Sequence, residues 1–349
     1  MSKYVEFGQY PRHVRHGPSD GLLMPKDRFT RFELTSSFLA IINIYGRNVI
    51  NADGDVWRFH RRVTGPVFSE RIHHAVWEES TNQAHLMMQS WLLSRDLEVD
   101  CVHIPSFGDD TLRLGLNVIT GAAYGCPLGW NESPPCASST SLSYHASVEQ
   151  LNAHLMSIFL TPRWLLRLAW RDSTWGRAWE AYTAFGGYMR GMLDRQRAHL
   201  NVGDDTEENL LTALIRAEDV ADEKDGRNMN AHEVMGNAFI FLFAGHETTA
   251  NTLHYTFILL AQRPDIQQFL LDEVDDVYER AAQEGRRELE YELDFNRARW
   301  TFAIMVREKH THTIAASDFN FSAAVRNPPS LYPNWHDKQV VGDGPAHNI

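Results

Sequence analysis

Apolar residues recur along much of this chain at spacings of three and four positions, which is the period of an amphipathic α-helix. The two clearest stripes are Leu210, Leu211, Leu214 and Ile215, and then Ile266, Phe269, Leu270, Val274 and Tyr278. The pattern predicts a mainly α protein. We expect helices over residues 54–64, 71–95, 107–123, 142–160, 175–200, 206–218, 231–262, 265–284 and 292–306.

The longest apolar run, residues 239–260, has helix-weakening and polar residues near its start. Gly245 costs about 1 kcal/mol relative to alanine inside a helix, and a glutamate such as Glu247 is almost never fully buried unless it is paired. Thr248 and Thr249 can bend a helix by hydrogen bonding to the carbonyl one turn earlier. Two interpretations stay open: a core helix whose polar residues find partners, or a helix deformed for a function. In both cases we expect the longest helix of the chain, largely buried.

The ends of this helix carry their own signals. Asn230 followed by Glu233 is a variant of the capping box, in which each residue satisfies a backbone N–H of the other. Pro264 is expected to end the helix, and Asp265 can cap the one that follows.

A second group of candidate residues lies upstream, in residues 53–62. Trp57 and Arg61 are four positions apart, so on a helix they share one face. An indole N–H and a guanidinium on that face could bind one carboxylate together. The alternative is an amphipathic surface helix with a basic face, to which Arg58 and Arg62 would belong.

The motif Ala244-Gly245-His246-Glu247-Thr248-Thr249 resembles the oxygen-activation motif of the haem-thiolate monooxygenases, the cytochrome P450 family. The resemblance implies that Gly245 opens a groove for dioxygen beside the haem. It also implies that Glu247 and Thr248 form the catalytic proton relay, and that Ala244 and Thr249 contribute to the cofactor site.

Residues 53–62 resemble the family's Trp-x-x-x-Arg helix, whose Trp and Arg bind a haem propionate. By this resemblance Trp57, Arg61 and the neighbouring His60 are cofactor-binding residues. We expect Trp57 and Arg61 to face the same cavity as the oxygen-activation motif. The family further implies a small apolar substrate and an NADPH-cytochrome reductase as partners.

The resemblance covers about residues 40–305 and then fails. Residues 307–324 resemble nothing in the family, and residues 325–349 resemble it only in part. The family's Glu-x-x-Arg helix is not found intact. We therefore expect one truncated domain over residues 1–349, with a cytochrome P450-like helical fold that is incomplete at both ends and has few short strands.

Cys101, Cys126 and Cys136 all precede the oxygen-activation motif, whereas the family's haem ligand follows it. Cys126 lies in a turn-like segment without the arginine of the haem loop, so we interpret it as a buried or loop thiol. The resemblance thus implies haem as the cofactor but without its axial cysteine. We expect any haem to be weakly held, through a histidine such as His60 or His246, and to lack the thiolate spectrum.

Composition excludes several function classes. A net charge of -12 argues against nucleic acid as a partner. A zinc protease would need a histidine at position 250 beside His246 and Glu247, and Ala250 stands there. We therefore expect no metal site beyond the haem.

The membrane and compartment signals are weak. A spanning helix needs about 20 apolar residues, and residues 239–260 are too often interrupted by polar side chains. Residues 1–21 are polar and resemble neither an anchor nor a signal peptide. Three cysteines without a disulfide framework indicate a reducing compartment. We expect a cytoplasmic location for the chain as written, and the endoplasmic reticulum membrane for a full-length family member.

Two functional hypotheses follow. The first is a haem-dependent monooxygenase that oxidises an apolar small molecule, in a secondary metabolism of the fungal type. The second is a non-catalytic remnant from a truncated gene or a misspliced transcript, without haem-thiolate activity.

Overall fold

A computed structural model describes residues 43–93, 104, 106–135, 141–170, 172–202, 208–220, 226–301 and 303–304. Every regular element in these ranges is a helix, which confirms the mainly α prediction. The few short strands that we expected do not occur within them. The predictions for residues 307–324 and 325–349 concern segments outside the described residues.

The helices are α1 Gly54–Thr64, α2 Glu70–Leu93, α3 Phe107–Ala122, α4 Tyr144–Ala153, α5 Leu155–Leu160, α6 Arg163–Leu168, α7 Thr174–Asn201, α8 Leu210–Asp219, α9 Ala231–Gln262, α10 Pro264–Gln283 and α11 Tyr291–Asp294. Short 3-10 helices follow α1 at Gly65–Val67 and α11 at Phe295–Arg297. The predicted bounds of α1 and α9 agree with the structure at both ends, and those of α2, α3, α7 and α10 agree within two residues.

Two predicted helices in the first unit need correction, and one helix was missed. The helix predicted over 142–160 is two helices, because His154 leaves the helical conformation with φ −108° and ψ 13°; the break lets both α4 and α5 pack on α7. The start predicted at residue 206 is wrong because Asn209 caps α8, its side chain accepting from the Thr212 N–H at 3.0 Å. Helix α6, which follows Pro162, was not predicted at all.

The continuous helix predicted over 292–306 is also wrong. The buried Asp294 carboxylate ends α11, because it binds Arg286 at 2.6 Å and Arg297 at 3.1 Å. Helical conformation resumes at residue 299. There the N–H groups of Trp300 and Thr301 donate to the carboxylate of Glu273 on α10, at 2.7 and 3.0 Å. A tertiary contact thus supplies the cap for this new helical turn.

The chain divides into two compact units. Among the described residues, the first unit contains those up to Leu86 and those within Leu116–Gly245, and the second contains those within Met87–Gly115 and from His246 onwards. Helices α2, α3 and α9 each contribute residues to both units. The assignment of the whole chain to one domain stays a prediction.

The core of the first unit surrounds α7, which contacts α4, α5, α6 and α8. Small residues line much of the buried part of α7: Ala178, Ala181, Ala184, Gly186 and Gly187. At Gly186 a Cβ atom would lie 2.9 Å from the ring of Tyr45, so glycine permits the close approach of that aromatic side chain. Tyr45 in turn stacks on Tyr182 with ring centroids 4.7 Å apart.

Helix α9 is the longest described helix, at 32 residues, as predicted. Its capping box is also confirmed: the Asn230 side chain accepts from the Glu233 N–H at 3.0 Å, and the Asn230 N–H donates to the Glu233 carboxylate at 3.1 Å. The prediction that the helix is largely buried holds only for its first half. From Glu247 to Gln262 only Ala250 and Thr256 are buried.

The cap predicted for the next helix differs from the structure. Helix α10 begins at Pro264, so Asp265 is its second residue and not its cap. The Asp265 carboxylate instead forms two hydrogen bonds with the Arg263 guanidinium, at 2.9 and 2.6 Å.

In the second unit, the first half of α3 lies against α9. A Cβ atom at Gly115 would lie 2.9 Å from the His246 carbonyl oxygen, so the two helix backbones approach closely there. The ring of Phe107 lies 5.8 Å from that of His254 and 5.1 Å from that of Phe257. The Trp91 indole N–H donates to Asp110 at 2.8 Å and joins α2 to α3.

Candidate functional site

Helix α1 is amphipathic, and its two candidate residues lie on the exposed face. Trp57 is 45% exposed, and Arg61 is exposed one turn later. Phe59, His60 and Thr64 are buried on the opposite face. Within the described part of the chain, neither the Trp57 indole nor the Arg61 guanidinium has a hydrogen-bond or ion-pair partner. Both groups are therefore available to an anion on this face.

His60 points away from that exposed face and into the first unit. Its Nδ1 atom lies 3.1 Å from the amide nitrogen of Asn237, and its Nε2 atom lies 3.4 Å from the Glu233 carboxylate. Burial lowers the pKa of the His60 imidazole, and Glu233 opposes this only in part. The ring is therefore neutral near neutral pH. The structure does not bring His60 together with Trp57 and Arg61, and its assignment to the cofactor stays a prediction.

Asn237 is a buried polar neighbour of His60 that the sequence argument missed. It is completely buried in the first half of α9. Its side-chain oxygen accepts from the Val49 N–H at 2.9 Å, and its side-chain nitrogen donates to the Glu233 carbonyl at 2.8 Å. The sequence signal that could have found Asn237 is its polar side chain in an otherwise apolar stretch, four positions after Glu233.

Residues 244–249, which resemble the oxygen-activation motif, have a mixed environment. His246 is buried, and Gly245 and Glu247 are half-buried. Ala244, Thr248 and Thr249 are exposed. Threonine back-bonding occurs at Thr252 and Thr256 of the same helix, and at Thr248 and Thr249 themselves it stays a prediction. The Thr252 hydroxyl donates to the Thr248 carbonyl at 2.9 Å, and the Thr256 hydroxyl donates to the Thr252 carbonyl at 2.8 Å.

Gly245 has a packing role that the sequence did not indicate. A Cβ atom at this position would lie 2.5 Å from Cδ1 of Ile119 on α3. The absence of a side chain therefore lets the tip of Ile119 lie against α9 within the first unit. The role of Gly245 in a dioxygen groove stays a prediction, as do the roles of Glu247 and Thr248 in proton transfer.

The first and second units hold different parts of the candidate site. Trp57, Arg61 and Gly245 belong to the first unit, and Glu247 and Thr248 belong to the second. Their convergence on one cavity stays a prediction.

Cys126 does not fit the chemistry of an axial thiolate. It is 2% exposed and belongs to the core cluster of the first unit. Burial raises the pKa of its thiol, and the Arg195 guanidinium, 3.9 Å from the sulfur, opposes this only in part. A cysteine that binds haem iron must be deprotonated and reach the iron. Cys126 is thus not suited to supply a thiolate to haem iron, and Cys101 and Cys136 lie outside the described residues.

Two further properties concern metals and membranes. Among the residues with described positions, no three histidine, cysteine, aspartate or glutamate side chains are grouped to hold a metal ion. No helix in the described ranges is long and apolar enough to cross a lipid bilayer.

Comparison with known proteins identifies relatives over most of the chain. The cytochrome P450 family model matches residues 22–292. Cytochrome P450 monooxygenase prx9 of Penicillium rubens is 31% identical over 303 residues, which are 81% of this chain and 48% of the relative. The phomenoic acid biosynthesis cluster cytochrome P450 monooxygenase of Leptosphaeria maculans is 23% identical over 308 residues, covering 85% of this chain and 52% of the relative. The chain spans about half the length of the curated relatives it matches.

Solved structures agree on the fold. The heme domain of cytochrome P450DA superposes with a TM-score of 0.53 at 19% identity, covering 69% of this chain and 48% of that one. A mutant of the same domain gives a TM-score of 0.51 at 18% identity, covering 68% and 47%. At these identities the likeness concerns the fold alone.

Proposed function

Since this chain belongs to the cytochrome P450 family, we propose that its function is haem-dependent monooxygenation of a small apolar molecule. Its fungal relatives bear the name of cytochrome P450 monooxygenase, and one is named for a phomenoic acid biosynthesis cluster. These names support a substrate from secondary metabolism. Membership of the family implies an NADPH-dependent reductase as the electron donor, and we propose the endoplasmic reticulum as the location of full-length relatives.

The observation that carries this proposal is the exposed face of α1. Trp57 and Arg61 present an indole N–H and a guanidinium side by side, with no partner among the described residues. Desolvating these donors without an anion would be unfavourable, whereas a propionate would accept from both. The neighbouring Arg58 already pairs with Asp55 on the same helix, so it is not equivalent.

The motif on α9 would supply the remaining groups. When bound through a thiolate, haem supplies the site at which dioxygen is activated. In the proposal the Glu247 carboxylate accepts a proton from solvent and the Thr248 hydroxyl passes one onwards. Ala244, Gly245 and Thr249 would line the cofactor side of the helix. The exposure of Thr248 supports access by water.

Haem titration of the purified 349-residue chain tests the cofactor site. Arg61→Ala should weaken haem binding at least tenfold, since a hydrogen bond to a charged group contributes about 1.5–3 kcal/mol. Trp57→Phe, which keeps a ring but loses the N–H, should weaken it less. Arg58→Ala is the matched control and should leave the affinity within about twofold. Equal effects of Arg58→Ala and Arg61→Ala would refute the propionate assignment.

A second candidate is that the 349 residues given have no haem-thiolate activity of their own, because the buried Cys126 thiol is not suited to bind iron. The reduced carbon-monoxide spectrum separates the two candidates, because the thiolate form requires a cysteine sulfur on the iron. We expect the chain as printed not to give that spectrum. If it does, Cys126→Ser decides the ligand: loss of the spectrum identifies Cys126, and its retention excludes Cys126.

A further inference from the structure

The orientation of the Asn237 side chain is fixed by a backbone group. The two ends of an asparagine amide are normally assigned from their hydrogen bonds. A backbone N–H can only donate, so the Val49 N–H at 2.9 Å identifies the accepting atom of Asn237 as its oxygen. The other end, which lies 3.1 Å from His60 Nδ1, is therefore the NH₂ group and donates.

This orientation determines which nitrogen of His60 carries the proton. Nδ1 accepts from Asn237, so in the neutral ring the hydrogen is on Nε2. Nε2 lies 3.4 Å from the Glu233 carboxylate, which also pairs with Arg227. The Nε2 contact lacks good hydrogen-bond geometry within the described structure. The bond from Asn237 to Nδ1 is therefore the interaction that orients the ring.

Three segments meet at these two side chains. Val49 belongs to the segment before α1, His60 to α1, and Asn237 to the first half of α9. Glycines allow the backbones to approach: a Cβ atom at Gly236 would overlap the carbonyl oxygens of Gly46 and Arg47. An acceptor at position 60 that does not occupy the place of Nδ1 would therefore lose the hydrogen bond from Asn237 unless α1 shifts.

We propose that His60 and Asn237 are positioning residues whose hydrogen bond sets the rotation of α1 on the first half of α9, and thereby aims Trp57 and Arg61. His60 directly precedes Arg61 and lies three positions after Trp57, so a rotation of α1 about its axis moves both donors together. That Trp57 and Arg61 bind a haem propionate rests on the proposed function, whereas the hydrogen bond between Asn237 and His60 is independent of it.

Two substitutions at one position test the hydrogen bond without any cofactor. In His60→Asn the side-chain oxygen can occupy the place of Nδ1 and still accept from Asn237. In His60→Gln the amide reaches the place of Nε2 instead. Hydrogen exchange of the 349-residue chain should show backbone amides of α1 exchanging about tenfold faster in His60→Gln, and within about threefold of the parent in His60→Asn. Amides of α7 should be unchanged in both variants.

Equal exchange of α1 in the two variants would overturn the proposal, because the position of the acceptor would then not matter. An increase that is as large in α7 as in α1 would overturn it too, since that result indicates general destabilisation. Asn237→Leu, which removes the donor at similar volume, should reproduce the exchange of His60→Gln. Parent-like exchange in Asn237→Leu would also contradict the proposal.

A double-mutant cycle then tests whether the junction acts through Arg61. His60→Gln should weaken haem binding about tenfold in the parent and have little further effect in the Arg61→Ala background. Fully additive losses would overturn the aiming role. If Arg61→Ala alone has no effect on haem, the proposed function fails, and the exchange experiment still decides the role of His60 and Asn237.

Discussion

The two halves of α9 have the same apolar character but opposite environments. In the first half Val234, Ala238, Phe239 and Leu242 are at most 1% exposed. In the second half Tyr255, Phe257, Ile258 and Leu259 are each at least 40% exposed. The polar residues differ as well, because Asn237 is completely buried and hydrogen bonded, whereas Thr248 and Thr249 face outwards.

This difference shows that burial along a helix is set by its neighbours and not by its own hydrophobicity. Residues 44–51 lie against the first half through Gly46 and Gly236, where a Cβ atom would clash with backbone atoms. Each half should therefore respond differently to the same substitution. The leucine pair below compares the two halves directly. The glycine and histidine predictions test contacts of the first half, and the threonine pair tests the second, in order from the largest expected effect to the smallest.

Truncating one leucine in each half gives the largest contrast. Leu242→Ala should lower the free energy of unfolding by about 2–5 kcal/mol, since Leu242 is completely buried and a cavity would remain. Leu259→Ala should cost about 1 kcal/mol or less, because Leu259 is 43% exposed. Urea unfolding followed by circular dichroism measures both. Similar losses would show that the second half is as well packed as the first.

Adding one methyl group at each of two glycines should distinguish backbone from side-chain contacts. Gly236→Ala should destabilise by about 1–3 kcal/mol despite alanine's helix propensity, because the methyl would meet the backbone of residues 46 and 47. Gly245→Ala meets only the tip of the Ile119 side chain, which can rotate, so it should change stability by less than about 1 kcal/mol. Thermal melting compares them, and an equally stable Gly236→Ala would contradict the close backbone contact.

The buried His60 makes stability depend on pH. Its pKa is lowered in the folded chain by burial, with contributions from Arg227 and Arg47, while Glu233 acts in the opposite direction. The unfolded chain therefore binds the proton more readily. Stability should be fully retained above the unfolded pKa of about 6.5 and should fall as pH decreases below it, by at most about 1.4 kcal/mol per pH unit.

His60→Asn is the control for this dependence. It keeps an acceptor for Asn237 but has no titrating ring, so the difference in unfolding free energy between parent and variant should itself vary between pH 7.5 and pH 5.5. A difference that stays constant over this range would show that His60 titrates alike in the folded and unfolded chain.

Thr248→Ala should have the smallest effect on stability. Thr248 is exposed in the half of α9 that packs least, so the change in unfolding free energy should stay within about 0.5 kcal/mol. Thr256→Ala is the contrasting variant, because Thr256 is buried and donates to the Thr252 carbonyl. A larger loss for Thr248→Ala than for Thr256→Ala would show that the Thr248 hydroxyl is a structural element.

Much of the helical architecture was available from the sequence. The bounds of α1 and α9 agree with the prediction because local signals set them. For α1 the signal is its amphipathic period. For α9 it is the capping box of Asn230 and Glu233 at the start and Pro264 just after the end. The family motifs were likewise readable, because Trp57, Arg61 and residues 244–249 lie at fixed spacings within single helices. Such features depend on neighbours along the chain, which the sequence gives directly.

The tertiary structure decided the rest, since it depends on which distant residues become neighbours. The break at Phe295 follows from Arg286 and Arg297 binding Asp294, and the next helical turn begins where Glu273 receives its N–H groups. The inward orientation of the His60 ring depends on Asn237, which is 177 positions away along the chain. A hydrophobic pattern states only that a helix has an apolar side. Burial, protonation and hydrogen bonding are fixed by what packs on that side, and for α9 this differs between its two halves.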